Sequence, residues 1–135
     1  MTSPFHRFWP AFLAADVVLI ITFAALGRDT HAHGLDPAGV LLTASPFIAA
    51  CLGGWLALRA WRRPAALWPT GIFLWLITAG AGLAIRFLAG GGTALSFQLV
   101  TFGVLAAFLL LPRAACSLLV LRHARRDSTR LKERA

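Results

Sequence analysis

The sequence predicts an all-α integral membrane protein, a bundle of four helices. Hydrophobic residues fill 59% of the 135 positions and charged residues only 13%, against roughly 25% charged in a soluble domain. The mean hydropathy is +0.75. Its apolar residues fall into four runs of about 19 to 28, and a bilayer core needs roughly 20 per helix. Lipid offers the backbone no hydrogen-bond partners, so each run must satisfy its own amides as a helix.

The first span is read over residues 9–26, from Trp9 to Leu26, closing at Gly27-Arg28. His6 and Arg7 precede it as in a secretory signal. A signal core is only roughly 7–15 residues long and three more spans follow here, so the segment reads as a retained helix. A polar loop then runs from Arg28 to Asp36, and Pro37 suits the first turn of the second span, residues 38–58. Arg59, Arg62, Arg63 and Pro64 form the next connection. The third span, 68–88, opens at Trp68-Pro69. Gly90-Gly91-Gly92 reads as a turn, and the fourth span, 94–113, ends at Pro112-Arg113, with an extension to Leu121 left open. Residues 1–121 thus form one four-span domain, and 122–135 a basic cytoplasmic tail.

Arginine placement sets the orientation. Spans alternate, so the N-terminus, the 59–63 connection and everything from Arg113 onward share a side. That side holds 11 of the 13 Lys and Arg, against Asp127 and Glu133. The opposite side balances Arg28 and Arg86 against Asp29 and Asp36. The positive-inside rule then places both termini in the cytoplasm of a plasma-membrane protein. A net charge of +8 therefore reads as helix-end and tail charge suited to anionic lipid, and nucleic acid is not an expected partner. Cys51 and Cys116 lie within apolar runs and read as small packing residues rather than a disulfide.

The two halves look alike. Trp9-Pro10 recurs as Trp68-Pro69, and Thr43-Ala44-Ser45-Pro46-Phe47 resembles Thr93-Ala94-Leu95-Ser96-Phe97. At that same offset Gly53 matches Gly103 and Arg63 matches Arg113. Either a two-helix hairpin was duplicated about an axis along the membrane normal, or belts of Trp, helix-starting Pro and end-of-span Arg simply recur.

Among polar residues, Asp16 is the most pointed. It lies in the first span, roughly 12 Å deep at about 1.5 Å per residue. A carboxylate there costs about 2.5–3.5 kcal/mol on insertion scales and should face protein or water. It reads either as a protonatable functional group or as a carboxyl bonded to a neighbouring helix, with Thr78 or Thr101 as partner. Arg86 shares a face with Gly82, Ala79, Thr78 and Trp75, while Phe73, Leu76, Leu83 and Phe87 suit lipid, so Arg86 points into the bundle or its outer mouth. Asp29 or Asp36 are its expected partners. Arg28 and Arg86 together offer guanidinium donors to an anion, or else clamp loops. His31-x-His33 beside Asp29 and Asp36 has metal-ligand chemistry but weak spacing, and a pH-sensitive loop is an equal reading. Ala49-x-x-x-Gly53 and Thr78-x-x-x-Gly82 are small-residue pairs that allow close helix contact. Nothing forms a nucleophile–base–acid set, so neither an enzyme nor a cofactor is expected.

Taken together, these residues resemble a family of small actinobacterial and haloarchaeal membrane proteins, domain of unknown function 3054, over roughly residues 9 to 114. The likeness rests on Asp16, Gly27-Arg28-x-x-His31, Thr43-Ala44-x-Pro46-Phe47, Gly54-Trp55, Arg59-x-Trp61 and Pro64. Trp68-Pro69-Thr70-Gly71, Arg86 and Thr93-Ala94-x-Ser96-Phe97 complete it. The resemblance implies a four-helix membrane protein and no substrate. His33 and the basic tail lie outside the shared pattern.

Two functions from different classes follow. One is a small transporter or channel-like protein, with Asp16 as protonatable group and Arg28 and Arg86 as an anion-attracting mouth, and four helices would need homo-oligomerisation to enclose a path. The other is a non-catalytic accessory or assembly subunit of a larger membrane complex.

Overall fold

The structure, a computed structural model, describes residues 4–29 and 35–135, with Asp29 described by its backbone alone. Among the described residues there are four long helices and no strand: α1 (Trp9–Asp29), α2 (Pro37–Ala57), α3 (Ile72–Leu88) and α4 (Leu95–Arg134). All four, with their lead-in turns, are long and apolar enough to cross a membrane. The all-α, four-helix membrane architecture expected from the sequence is the one observed. Consecutive helices pack as neighbours, and α4 closes back on α1.

Helix α1 follows a single 3-10 turn at His6–Phe8. Pro10 falls in its first turn, where a missing N–H costs no helical bond. Asp16, Ile20, Phe23 and Ala24 are buried, a spacing that puts one stripe of the helix against the bundle.

Helix α2 is capped by Asp36, whose Oδ2 accepts from the Gly39 amide at 2.7 Å. Pro37 occupies the first turn. Pro46 in mid-helix deprives the Leu42 carbonyl of its usual donor, and the Ser45 hydroxyl donates to that carbonyl at 2.8 Å instead. The helix therefore continues through its proline. Its buried stripe is Val40, Ala44, Phe47, Cys51, Gly54 and Trp55.

Close approach of α2 and α3 depends on two glycines. A Cβ on Gly82 would collide with the Phe47 ring, and one on Gly54 would lie 2.9 Å from Leu74 Cδ1. The Thr78/Gly82 pair thus serves packing within the bundle. The Ala49/Gly53 pair does not: Ala49 is exposed and a Cβ on Gly53 would meet nothing within 4 Å. One residue further, about 100° around the helix, Gly54 makes the contact. Leu83 is a second correction, because it is buried rather than lipid-facing, whereas Phe73, Leu76 and Phe87 are exposed.

The glycine turn after α3 closes the helix. Gly90 has φ of 82°, its amide donates to Phe87 O, and the Gly91 amide donates to Arg86 O. That is a Schellman cap, in which the left-handed residue is best a glycine.

Helix α4 is 40 residues long, about 60 Å at 1.5 Å per residue. Thr101, Leu105, Leu109 and Arg113 are its buried residues, at a strict spacing of four. Pro112 lies inside the helix and does not stop it. From Leu118 on every residue is exposed, and the helix runs through the basic tail to Arg134. The core between the four helices centres on Phe47, edge-on to Phe23 with centroids 5.4 Å apart, with Ile20, Leu74 and Leu105 fully buried around it.

Matched residues of the two halves occupy different environments. Arg63 is exposed while Arg113 is buried. Trp9 opens a helix, whereas Trp68 is extended (φ −120°, ψ 135°) and precedes a cis Pro69.

Candidate functional site

The largest fully buried side chain is an arginine, Arg113, at 1% exposure. A lone guanidinium in such a place would be prohibitively expensive. Its position follows from the stripe on α4: four residues after Leu109, it faces inward again. There it meets Asp16 of α1. Arg113 Nη1 donates to Asp16 Oδ1 at 2.8 Å and Nη2 to Oδ2 at 2.7 Å, the bidentate fork that best matches a carboxylate. Nη1 also donates to the Leu109 carbonyl at 2.8 Å. Nε donates to the Pro64 carbonyl at 3.1 Å, in the α2–α3 connection. Four of the five guanidinium N–H groups are thereby satisfied.

Asp16 is equally enclosed. Besides the fork, its Oδ2 accepts from Trp55 Nε1 of α2 at 2.9 Å. Trp55 leans on Trp9, centroids 6.4 Å apart. Gly71, just before α3, leaves room for the arginine stem, since a Cβ there would sit 3.0 Å from Arg113 Cδ. One network therefore draws on α1, α2, α4 and the α2–α3 connection, and α3 starts against it. With its oxygens and nearly all its donors engaged, it can pin these elements together.

Thr78 and Thr101 are not the partners of Asp16. Both are fully buried, and the Thr101 hydroxyl has no hydrogen-bond partner among the described residues. Thr101 stands three turns from Arg113 on α4, about 18 Å at 1.5 Å per residue. The network lies a side chain's length from the Pro64 connection, so Asp16 is nearer that end than the threonines are. Thr78 instead adjoins Cys51, one turn from Trp55 on α2. Cys51 and Cys116 are free thiols, the first buried and the second partly so.

The arginines at the other end are tied down separately. Arg28 Nη2 pairs with Asp36 Oδ1 at 3.0 Å, and Nη1 reaches Thr43 Oγ at 3.5 Å. Arg86 does not pair with Asp36. Its Nε donates to Gly92 O at 3.1 Å, and its guanidinium lies over Phe97, 4.8 Å from the ring centroid. Both contacts hold loops. His31, His33 and the Asp29 side chain lie outside the described residues. Asp36 spends Oδ2 on Gly39 and Oδ1 on Arg28.

Two members of the network escaped the sequence reading. Arg113 follows a proline at the end of an apolar run and was counted with the flanking charges. Its inward phase was nonetheless written in the run Thr101, Leu105, Leu109, Arg113. Trp55 stands in the sequence only as half of the Gly54-Trp55 dipeptide, and nothing local marks its N–H as bound for α1.

A model of the family described as "Protein of unknown function (DUF3054)" matches residues 13–116. That match spans the network from Asp16 to Arg113, and the chain belongs to this family. Neither the comparison with curated proteins nor that with solved structures returned a match.

Proposed function

We propose that this member of the DUF3054 family is a non-catalytic accessory or assembly subunit of a larger complex in the plasma membrane, with both termini in the cytoplasm. The observation that carries the reading is the fourth helix. It overshoots its apolar segment by more than three turns, and residues 122–135 are all exposed. A helix segment exposed at every residue among the described residues is a handle for something else. It bears six Lys and Arg against Asp127 and Glu133, which suits anionic lipid or an acidic partner surface. The nearly saturated Asp16–Arg113 pair supports the same reading, because it serves better as a pin than as a relay. The arginine asymmetry supports the orientation.

Purification of the full chain in mild detergent tests the proposal. A larger partner should co-purify in fixed stoichiometry and be lost when residues 122–135 are removed. A defined homo-oligomer without a partner contradicts it. Orientation is tested with a thiol reagent confined to the outside, which should label Thr30→Cys and Gly91→Cys but not Arg62→Cys.

A transport function is the second reading. One observation favours it: the Thr101 hydroxyl is buried without a partner among the described residues, as a group lining a polar path would be in its closed state. Under that reading a homo-oligomer forms, and Asp16→Asn abolishes proton-coupled flux in reconstituted vesicles while the fold persists. Unchanged flux across the acidic-to-neutral range would end it.

A further inference from the structure

At the α2–α3 connection, apart from the buried pair, a cavity of about 320 Å³ is lined by Leu58, Arg59, Arg62, Arg63, Pro69 and Thr70. We infer that it binds the phosphate of an anionic phospholipid headgroup. Three arginines line it and no acidic residue does. Among the described residues none of the three is in an ion pair. Arginines pointing into plain solvent would not need a shaped wall between them. This wall includes Thr70, which is only 7% exposed and brings a hydroxyl-bearing side chain to the lining.

Backbone conformation adds a further argument. Arg59 adopts φ 48°, ψ 48°, the left-handed region where a helix end ordinarily takes glycine. A side chain is kept at that strained position, and strain of this kind is held where it serves a site. Its amide donates to Leu56 O, so the turn that aims Arg59 is fixed by hydrogen bonding. Planar forks around a tetrahedral oxyanion, with a neutral hydroxyl as an additional donor, are the chemistry of phosphate recognition.

The position favours a lipid as the source of that phosphate. The cavity sits where two apolar helices end, with Leu58 and Pro69 as its apolar walls. Trp68, 70% exposed, stands beside it as an interfacial aromatic would. Acyl chains could lie along α2 and α3 while the headgroup occupies the cavity.

The test uses the full chain, reconstituted in phosphatidylcholine nanodiscs with or without phosphatidylglycerol, then released and weighed by native mass spectrometry. Wild type should retain phosphatidylglycerol, and Arg59→Gln/Arg62→Gln/Arg63→Gln should lose at least about tenfold of that retention, since each cation near an anionic surface is worth about 1 kcal/mol. Thr70→Val should weaken retention with all three charges intact, and Arg125→Gln/Arg126→Gln/Arg130→Gln on the exposed helix, whose charges also suit anionic lipid, should lower it less than the loop variant does. Inorganic phosphate and glycerol 3-phosphate form the soluble arm. Displacement of lipid by either at millimolar concentration keeps the phosphate site but assigns it a soluble occupant. Equal retention by wild type and the loop variant overturns the site, as does equal loss in the tail variant. A melting curve for each variant, expected to match wild type because the three arginines are exposed, separates lost binding from lost fold.

Discussion

Two aspartate–arginine pairs stand at different places in this bundle with similar closest distances and very different surroundings. Asp16–Arg113 has its closest contact at 2.7 Å, with side chains 4% and 1% exposed. Arg28–Asp36 lies at 3.0 Å, with side chains 20% and 60% exposed. Distance alone would rank them alike, and environment separates them. Water shares the outer pair's charges, so it contributes about 0–1 kcal/mol. The inner pair has surrendered its hydration, and neither member can be removed without stranding the other. The inner pair joins residues 97 positions apart and closes the bundle. The outer pair spans a single loop, and its aspartate is also a helix cap.

The largest effect should come from breaking the inner pair on one side. Asp16→Asn keeps the shape but leaves Arg113 uncompensated, and should destabilise the protein by about 3–5 kcal/mol. Equilibrium unfolding in detergent measures this. A near-silent Asn variant, the outcome expected of an uncharged carboxyl paired with threonine, would make the two pairs equivalent. Replacing both members together, Asp16→Leu with Arg113→Met, should recover most of the loss, because well-packed apolar groups can substitute for a buried ion pair.

Smaller effects should follow in order. Trp55→Phe removes one donor from Asp16 and keeps the ring packing, so about 1–2 kcal/mol is expected from the same measurement. Asp36→Ala removes a cap and an ion pair, about 1 kcal/mol, mostly from the cap. Arg28→Gln should cost less than about 1 kcal/mol. Its effect should shrink in high salt, whereas that of Asp16→Asn should not, since screening reaches exposed charges and spares buried ones.

Much of the fold was legible in the sequence because one physical term dominates it. Long apolar runs in lipid have only the helix open to them, and Pro37, Gly82 and Gly90 act locally as a helix start, a close contact and a turn. Asp16 was legible for the same reason, as a charge where charge is expensive. Its partner was not. A proline before Arg113 looked like the end of a span, and a side chain's inward phase is visible only once the helix is known to continue. The threonine assignment failed on depth: counting residues from Trp9 gives a height above the helix start, and the Pro64 connection reaches up to meet the arginine. Ala49/Gly53 and Leu83 failed by phase, where one residue turns a helix about 100°. Which pairs of distant positions meet is decided by how helices rotate against one another, and no local pattern encodes that.

The account rests on Asp16 and Arg113 acting as one structural unit. A double-mutant cycle tests this most directly, with Asp16→Asn, Arg113→Gln and the combined variant unfolded at equilibrium in the same detergent. The account predicts that the double variant is no less stable than the worse single variant, so that the coupling energy is at least the smaller single loss, about 3 kcal/mol. Losses that simply add, with coupling near zero, would contradict it.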